Sequence, residues 1–241
     1  MISKWNYWVL AGLAGSVMWT AAAGGALAPQ GRKAGWRLLF DGKTTRGWRS
    51  ADGGEFPRRG WKVEDGCLKH LLQAGGGDIV TEDVFWEFDF RFEWKINAGG
   101  NSGVKYFVVP ERGRHIGHEY QLLGEKVSGP AARRPSLAGT ASFYVVVPTV
   151  PNRPLRPAGE WNQGRILVTG NHVEHWLNGK KVVEYELGSP KVLAAVARSK
   201  FRNVKDFGKK VCGHILLQDH GGEVWFRNLK ILELAPCPKK R

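Results

Sequence analysis

Cysteine is scarce, with Cys67, Cys212 and Cys237 the only three in the chain. No Cys-x-x-Cys pair or Cys/His cluster occurs, which argues against a structural zinc site. An odd count leaves at least one thiol outside any bond within the chain. A Cys212–Cys237 bond is the pairing open to an exported protein, which meets an oxidising compartment. Methionine is scarcer, at 2 residues. Long apolar stretches with a 3.6-residue period are also missing, which argues against a helix bundle. There is no dinucleotide or flavin fingerprint and no internal repeat. Acidic residues number 22 against 36 basic ones, for a formal charge of +14. Such a surface favours acidic partners without fixing a fold.

What is present suits a β protein. The 241 residues are 42% hydrophobic and 11% aromatic, with 32 glycines, 12 prolines and 11 tryptophans. That is a globular composition rich in turns, at a length that sandwiches of roughly 200–250 residues commonly fill as one domain. Residues 1–28 combine Lys4, an apolar run from Tyr7 to Ala23 and the small-x-small end Ala26-Leu27-Ala28. This pattern predicts a secretory signal peptide cut between 23 and 28. The expected location is therefore periplasmic or extracellular, with no stable membrane span after signal removal. Residues 35–234 are expected to form one domain, and 235–241 a basic tail.

Strand signals fill the body. Trp61–Glu64 and Cys67–His70 flank Asp65-Gly66, and Val173–Leu177 and Lys181–Tyr185 flank Asn178-Gly179; both are hairpin patterns. Residues 85–96 alternate, with Trp86, Phe88, Phe90, Phe92 and Trp94 on one face and Glu87, Asp89, Arg91 and Glu93 on the other. Further strands are expected at 103–109, 118–123, 142–147, 165–170, 214–218 and 224–232. Ser189-Pro190 opens one short helix near 190–200. Many short strands with intervening turns indicate an all-β jelly-roll sandwich.

Five segments can carry chemistry. Glu87-x-Asp89 places two carboxylates about 6.5–7 Å apart along a strand, which resembles the acidic strand of jelly-roll glucanases; a solvated strand face is the favoured reading. Gly99-Gly100-Asn101-Ser102-Gly103 enters a strand on which Asn101, Gly103 and Lys105 share a face. Glu119 and Gln121 share a face of the next strand, suited to sugar hydroxyls. Gln218 and His220 share a face where a strand enters a turn, and a histidine there can carry a proton. The basic stretch from Arg198 to Lys210 could meet an anionic polysaccharide, whereas the export signal counts against nucleic acid.

The order of motifs carries a resemblance. Trp36-x-Leu-Leu-Phe-Asp-Gly-Lys, Gly76-Gly77-Asp78-Ile79-Val80-Thr81, Phe90-x-x-Glu93-Trp94, Gly100-Asn101-Ser102-Gly103-Val104 and His118-Glu119-Tyr120-Gln121 come first. Gly159-Glu160-Trp161-Asn162, Glu174-His175-Trp176-Leu177-Asn178-Gly179, Ser199-Lys200-Phe201, Gly213-His214-Ile215-Leu216-Leu217-Gln218-Asp219-His220-Gly221 and Val224-Trp225-Phe226-Arg227-Asn228 follow. Over residues 35–234 the chain resembles the 3-keto-disaccharide hydrolase family. The resemblance implies a concanavalin A-like jelly roll of two curved antiparallel sheets with the site on the concave face. It also implies cleavage of glycosides already oxidised at C3, with a separate sugar 3-dehydrogenase supplying the substrate. Two positions depart from the family pattern. Gly124-Glu125 stands where an aspartate is expected, and Gly139-Thr140-Ala141-Ser142-Phe143-Tyr144 where Thr-Gly-Ala/Ser-Leu-Tyr is usual.

The expected roles follow from the ketone. It acidifies the C2 proton, so the aglycone can leave C1 by elimination and water can then add back. His220 or Glu119 is the expected base and Lys105 the enolate partner. Glu93, Asn101, Gln121 and Gln218 are expected to hold hydroxyls, with Tyr144 as a further donor. Glu119, Gln121 and His220 could together ligate a divalent cation; no cofactor is otherwise expected. The competing readings are a non-catalytic carbohydrate-binding module and, less favoured, an endo-glucanase acting through Glu87 and Asp89.

Overall fold

The computed structural model describes residues 35–127 and 134–239. The signal segment expected over 1–28 lies outside the described residues. The strands run in chain order as β1 (Trp36–Leu38), β2 (Trp48–Ser50), β3 (Trp61–Glu64), β4 (Cys67–His70), β5 (Ile79–Thr81), β6 (Glu87–Ile96) and β7 (Asn101–Val108). β8 (His118–Leu123), β9 (Asn162–Thr169), β10 (His172–Leu177) and β11 (Lys180–Glu186) follow. The helix α1 (Pro190–Ala197) then precedes β12 (His214–Leu217) and β13 (Val224–Ala235). The larger sheet has the order β11-β10-β9-β6-β13-β4-β3, with β1 paired to β13. The smaller sheet has the order β2-β5-β12-β7-β8. Every pairing is antiparallel. This is the expected jelly-roll architecture.

Alternation explains how the layers meet. Phe88, Phe90, Phe92, Trp94 and Ile96 of β6 are each at most 2% exposed. They pack against Val104, Tyr106, Tyr120 and Leu122 from the smaller sheet, so two apolar faces close on one another. Both predicted hairpins form. Asp65 and Asn178 take positive φ, 49° and 47°, with Gly66 and Gly179 following at 71° and 83°, the backbone of a type I′ turn. Ser189 caps α1 by accepting from the Val192 amide at 3.3 Å, and Val192 and Val196 turn inward. Cys212 and Cys237 are bonded, with Cα atoms 5.7 Å apart.

The strand expected over 142–147 does not form. Ala141 and Val145 take positive φ, 68° and 57°, and only isolated bridges link Phe143 to Tyr120 and Val147. The segment folds tightly against the edge of β8, held there by the Ala141 amide on the Gln121 carbonyl, the Gln121 amide on the Ser142 carbonyl and the Tyr144 amide on the Glu119 carbonyl, without forming a continuous strand. β1, β2 and β5 have 3 residues each, too few to show a period.

Gly124 also finds its reason in packing. A Cβ there would stand 1.9 Å from the Asn97 carbonyl oxygen, so this backbone has no room for a side chain. The neighbouring Glu125 carboxylate accepts from the Thr140 amide at 2.9 Å and pairs with Arg153 Nη2 at 2.6 Å. The carboxylate beside this departure therefore clamps the 139–153 segment.

A polar network is sealed into the core. Tyr106 Oη lies 2.9 Å from His175 Nε2 and 2.5 Å from Tyr185 Oη. Tyr185 Oη is 3.3 Å from His118 Nδ1, and His118 Nε2 accepts from the Gly208 amide at 3.1 Å. His118 thus serves the core. Burial pulls His175 down to about 4 and His118 well below its ordinary value. The sign follows directly. Above pH 6.5 both states carry neutral imidazole and stability is complete. As pH falls toward 4 the unfolded chain takes up protons that the native His175 refuses, and about 3 kcal/mol is lost from this residue alone. His115 and His172 are raised by carboxylate partners and act in the opposite sense, but both are partly exposed and screened. Urea unfolding is therefore expected to show a clearly lower midpoint at pH 4.5 than at pH 7.5. An unchanged midpoint would contradict a neutral histidine core.

Candidate active site

The smaller sheet turns one face away from the core, and most of the predicted site residues stand on it. In β7, Val104 and Tyr106 face inward, so Asn101, Gly103 and Lys105 face outward. In β8, Tyr120 and Leu122 face inward, so Glu119 and Gln121 face outward. The register places Lys105 directly opposite Glu119 and Gly103 opposite Gln121. On the other side of β7, Leu216 of β12 sits opposite Lys105, and Val80 of β5 opposite Leu216. Ala51, Val80, Val108 and Leu216 form a small apolar cluster separate from the main core. The face is a floor partly covered by loops, since Lys105, Glu119 and Gln121 are 7%, 5% and 3% exposed. A cavity of about 210 Å³ opens beyond Val80 and Val108, lined also by Arg49 and Arg114. Another of about 370 Å³ lies between Asn101 and His220.

Glu119 is the most unusual group. Among the described residues its carboxylate has no hydrogen-bond or ion-pair partner. It leans into the space that Gly103 leaves, where a Cβ would stand 2.5 Å from Glu119 Oε1. Burial pushes its carboxyl above the usual range, and the charges of Lys105, Lys200 and His220 offset this only in part. A buried carboxyl raised by desolvation and left unpartnered is a candidate for proton transfer. Gly103→Ala should displace it. We expect a loss of activity of roughly 10-fold or more, with little change in thermal midpoint, by the cost of misplacing a reacting group. Full activity in a folded Gly103→Ala protein would show that the space over Gly103 is not used.

Lys105 Nζ donates to the His115 carbonyl at 3.0 Å and lies 3.7 Å from Asp78 Oδ2. Asp78, 7% exposed, organises this end of the site. Its Oδ2 accepts from His115 Nδ1 at 3.0 Å and its Oδ1 from the Asp219 amide at 2.8 Å. His115 Nε2 in turn lies 2.9 Å from Asp52 Oδ1. Burial lowers the His115 ring, but the Asp52 and Asp78 carboxylates outweigh it and raise the ring overall. Asp219 fixes the loop that carries His220. Its carboxylate accepts from the Gly77 amide at 3.0 Å and the Gly221 amide at 2.9 Å. His220 itself is exposed. Gln218 Oε1 is buried without a partner, which suits it to accept from a ligand. Gln121 Nε2 donates to Asn101 Oδ1 at 2.9 Å. The Tyr144 amide donates to the Glu119 carbonyl at 3.1 Å, and Lys200 Nζ sits 4.5 Å over the Tyr144 ring.

One predicted site residue is not brought here. Glu93 stands on the open face of the larger sheet, where it accepts from Arg227 Nε at 2.8 Å. Glu93 alternates with the inward-facing Phe92 and Trp94, so it cannot reach the smaller sheet's outer face. Glu87 and Asp89 share that larger-sheet face. Lys210 and the Gly170 amide hold Glu87 below the usual carboxylate range. Burial pushes Asp89 up, but the guanidiniums of Arg91 and Arg165 outweigh it and hold Asp89 low. Neither carboxyl can serve as the raised general acid that a glucanase requires. The sequence alone gives no role to Asp78, His115 or Asp52, and it places Lys200 only in the basic stretch. Asp78 and Lys200 lie within the motifs Gly76–Thr81 and Ser199–Phe201, while His115 and Asp52 fall in loops with no periodic signal.

Of the expected cation set, Gln121 already donates to Asn101 and His220 is exposed. Among the described residues the one trio of His, Asp or Glu with converging ligand atoms is His172, Glu174 and Glu184 on the other sheet. Lys181 already pairs with both of those glutamates. A groove of about 950 Å³ between β11, the 137–150 segment and α1 has a mixed lining, with seven valines beside Lys181, Glu184, Glu186, Lys191 and Arg198.

Known proteins share this fold and sequence. A 3-keto-disaccharide hydrolase of Bacteroides thetaiotaomicron is 32% identical over 228 residues, spanning 82% of this chain and 78% of that protein. A crystal structure from Parabacteroides distasonis, of a protein classed with the glycosyl hydrolases, superposes with a TM-score of 0.70 at 32% identity. It covers 84% of this chain and 95% of its own. A second structure from the same organism, similarly classed, gives a TM-score of 0.64 at 26% identity, covering 83% and 99%. The profile of the 3-keto-alpha-glucoside-1,2-lyase-like domain matches residues 35–232. Those matched residues take in both sheets and the whole Glu119–Lys105 face, and the chain belongs to that family.

Proposed function

We propose that this protein is an exported hydrolase of 3-keto-glycosides, including 3-keto-disaccharides, and that it works by elimination followed by hydration. The observation that carries the reading is the buried, unpartnered Glu119 opposite Lys105. Glu119 takes the C2 proton, and the electron pair moves onto the C3 oxygen as an enolate. Lys105 stabilises that developing negative charge. The enolate then collapses, the C1–oxygen bond breaks, and the aglycone leaves with a proton from His220 at the mouth of the site. Water then adds across the C1–C2 double bond: its hydroxyl goes to C1, its proton restores His220, and Glu119, its proton exchanged with solvent, protonates C2. The sum is hydrolysis, with no change in oxidation state. Asn101, Gln121 and Gln218 hold sugar hydroxyls, and Tyr144 donates beside Glu119.

The substrate must arrive already oxidised, so a separate sugar 3-dehydrogenase is the class of enzyme that supplies it. The Cys212–Cys237 bond supports export, because such bonds persist in oxidising compartments. Purified protein is to be incubated with a chromogenic 3-keto-glucoside and with its unoxidised parent. Aglycone release from the oxidised substrate alone is the expected result. Release from the parent, or saturable glycan binding without turnover of either, would overturn the reading.

A further inference from the structure

One end of the smaller sheet's outward face carries cations that the chemistry above does not use. Arg49 of β2 lies opposite Val80 of β5, and both line the cavity of about 210 Å³. Its walls are apolar, formed by Ala51, Val80, Val108, Val109 and Pro110. Its polar side chains are Arg49, Arg114 and His214, and no acidic residue lines it.

Both arginines are held by neutral acceptors. Arg49 Nη1 donates to the Ser50 carbonyl at 3.0 Å, and Arg49 Nη2 to His214 Nε2 at 3.3 Å. His214 Nδ1 lies 3.1 Å from the Asp83 carbonyl, so that nitrogen carries the ring's proton and Nε2 is left to accept. Burial keeps this ring below the ordinary histidine range. Arg114 Nη1 donates to the Asp52 carbonyl. Among the described residues no carboxylate pairs with either guanidinium. The two cations are thus oriented without being neutralised, and each keeps further N–H donors.

These features select an anion with an apolar body. A hydrated inorganic anion would leave the valine walls without contacts, and a neutral hydrocarbon would leave both guanidiniums unpaired. A planar carboxylate matches the arginine fork. A cavity of about 150 Å³ admits a benzene ring, so one of about 210 Å³ admits a ring that bears a carboxylate. The loop over residues 113–117 separates this space from the Glu119 cluster. Its His115 carbonyl holds Lys105 Nζ. A Cβ on its Gly117 would stand 2.6 Å from Val108 Cγ2 and 3.2 Å from Lys105 Cβ.

We propose that this pocket is a second ligand site that binds a small aromatic carboxylate, with the ring against Val80 and Val108 and the acid group on Arg49 and Arg114. The site stands apart from the proposed reaction and uses none of its residues.

The test is a titration of the full chain with benzoate, followed by saturation transfer to the benzoate protons. We expect saturable binding with a Kd of about 1 mM or tighter. Affinity should fall by about 10-fold or more in Arg49→Met/Arg114→Met, since charge-assisted hydrogen bonds are lost. Arg114→Met alone is the second variant and should lose a smaller part of the binding; Arg114 is exposed, so its truncation leaves the fold intact. A Lys191→Met/Arg198→Met control alters cations at α1 and should bind normally. Thermal midpoints report the folding of each protein. Any of the following would overturn the proposal: no saturable binding by the unaltered protein, equal binding of benzyl alcohol, equal binding of acetate or inorganic phosphate, or unchanged binding in both arginine variants. An equal loss in the control would do the same, as would displacement of benzoate by 3-keto-glucose, which would put benzoate in the cleft.

Discussion

Glu119→Gln is expected to lower kcat/KM on a 3-keto-glycoside by about 10³-fold, within the range for removing a general base. The amide keeps the shape and polarity of the carboxyl but cannot take a proton. The site around it should stay folded, because Glu119 makes no ion pair that the substitution would break. The pH dependence separates this role from a structural one. A base works only when deprotonated, so activity is lost as pH falls through its pKa. Burial raises that pKa above the ordinary glutamate range, so the acid limb of kcat/KM should lie higher than an exposed glutamate would give. In the Gln variant the residual activity should lose that limb. A folded Glu119→Gln protein with unchanged activity would return the base to His220.

Lys105→Met should have the second largest effect, a fall in kcat of about 10²–10³-fold. The enolate charge exists in the transition state and not in the ground-state ketone, so the loss should fall on kcat more than on KM. Methionine keeps the apolar stem against Leu216. The interactions of Asp78 with His115 and the Asp219 amide remain to hold the neighbouring loops. An equal rise in KM with unchanged kcat would instead make Lys105 a simple binding group.

Much of this was legible in the sequence for a physical reason. Strict alternation in β6, and the Asp65-Gly66 and Asn178-Gly179 turns, are local signals that need no tertiary partner. The same period placed Lys105, Glu119 and Gln121 on outward faces, and the register of β7 and β8 turned those separate stripes into one cluster. The failures are equally specific. Glu93 shares a strand pattern with its neighbours, but which sheet a strand joins is a long-range fact that periodicity cannot hold. The 142–147 segment reads as a strand by composition, yet the positive φ values at Ala141 and Val145 belong to a cap over β8. His115 and Asp52 come from loops and meet Asp78 only once β5 and β7 are set in the smaller sheet.

The proposed roles of Glu119 and Lys105 require that the glycosidic bond break by elimination from C2. The most direct test is turnover of a 3-keto-glucoside in heavy water, with the released 3-keto-glucose read by mass and by proton resonance at C2. Free 3-keto-glucose incubated alongside corrects for spontaneous exchange. Elimination places one solvent deuteron at C2 of each product molecule, at a rate matching aglycone release. Product that keeps its original C2 proton would show direct attack at C1 and would contradict the assignment of Glu119 and Lys105.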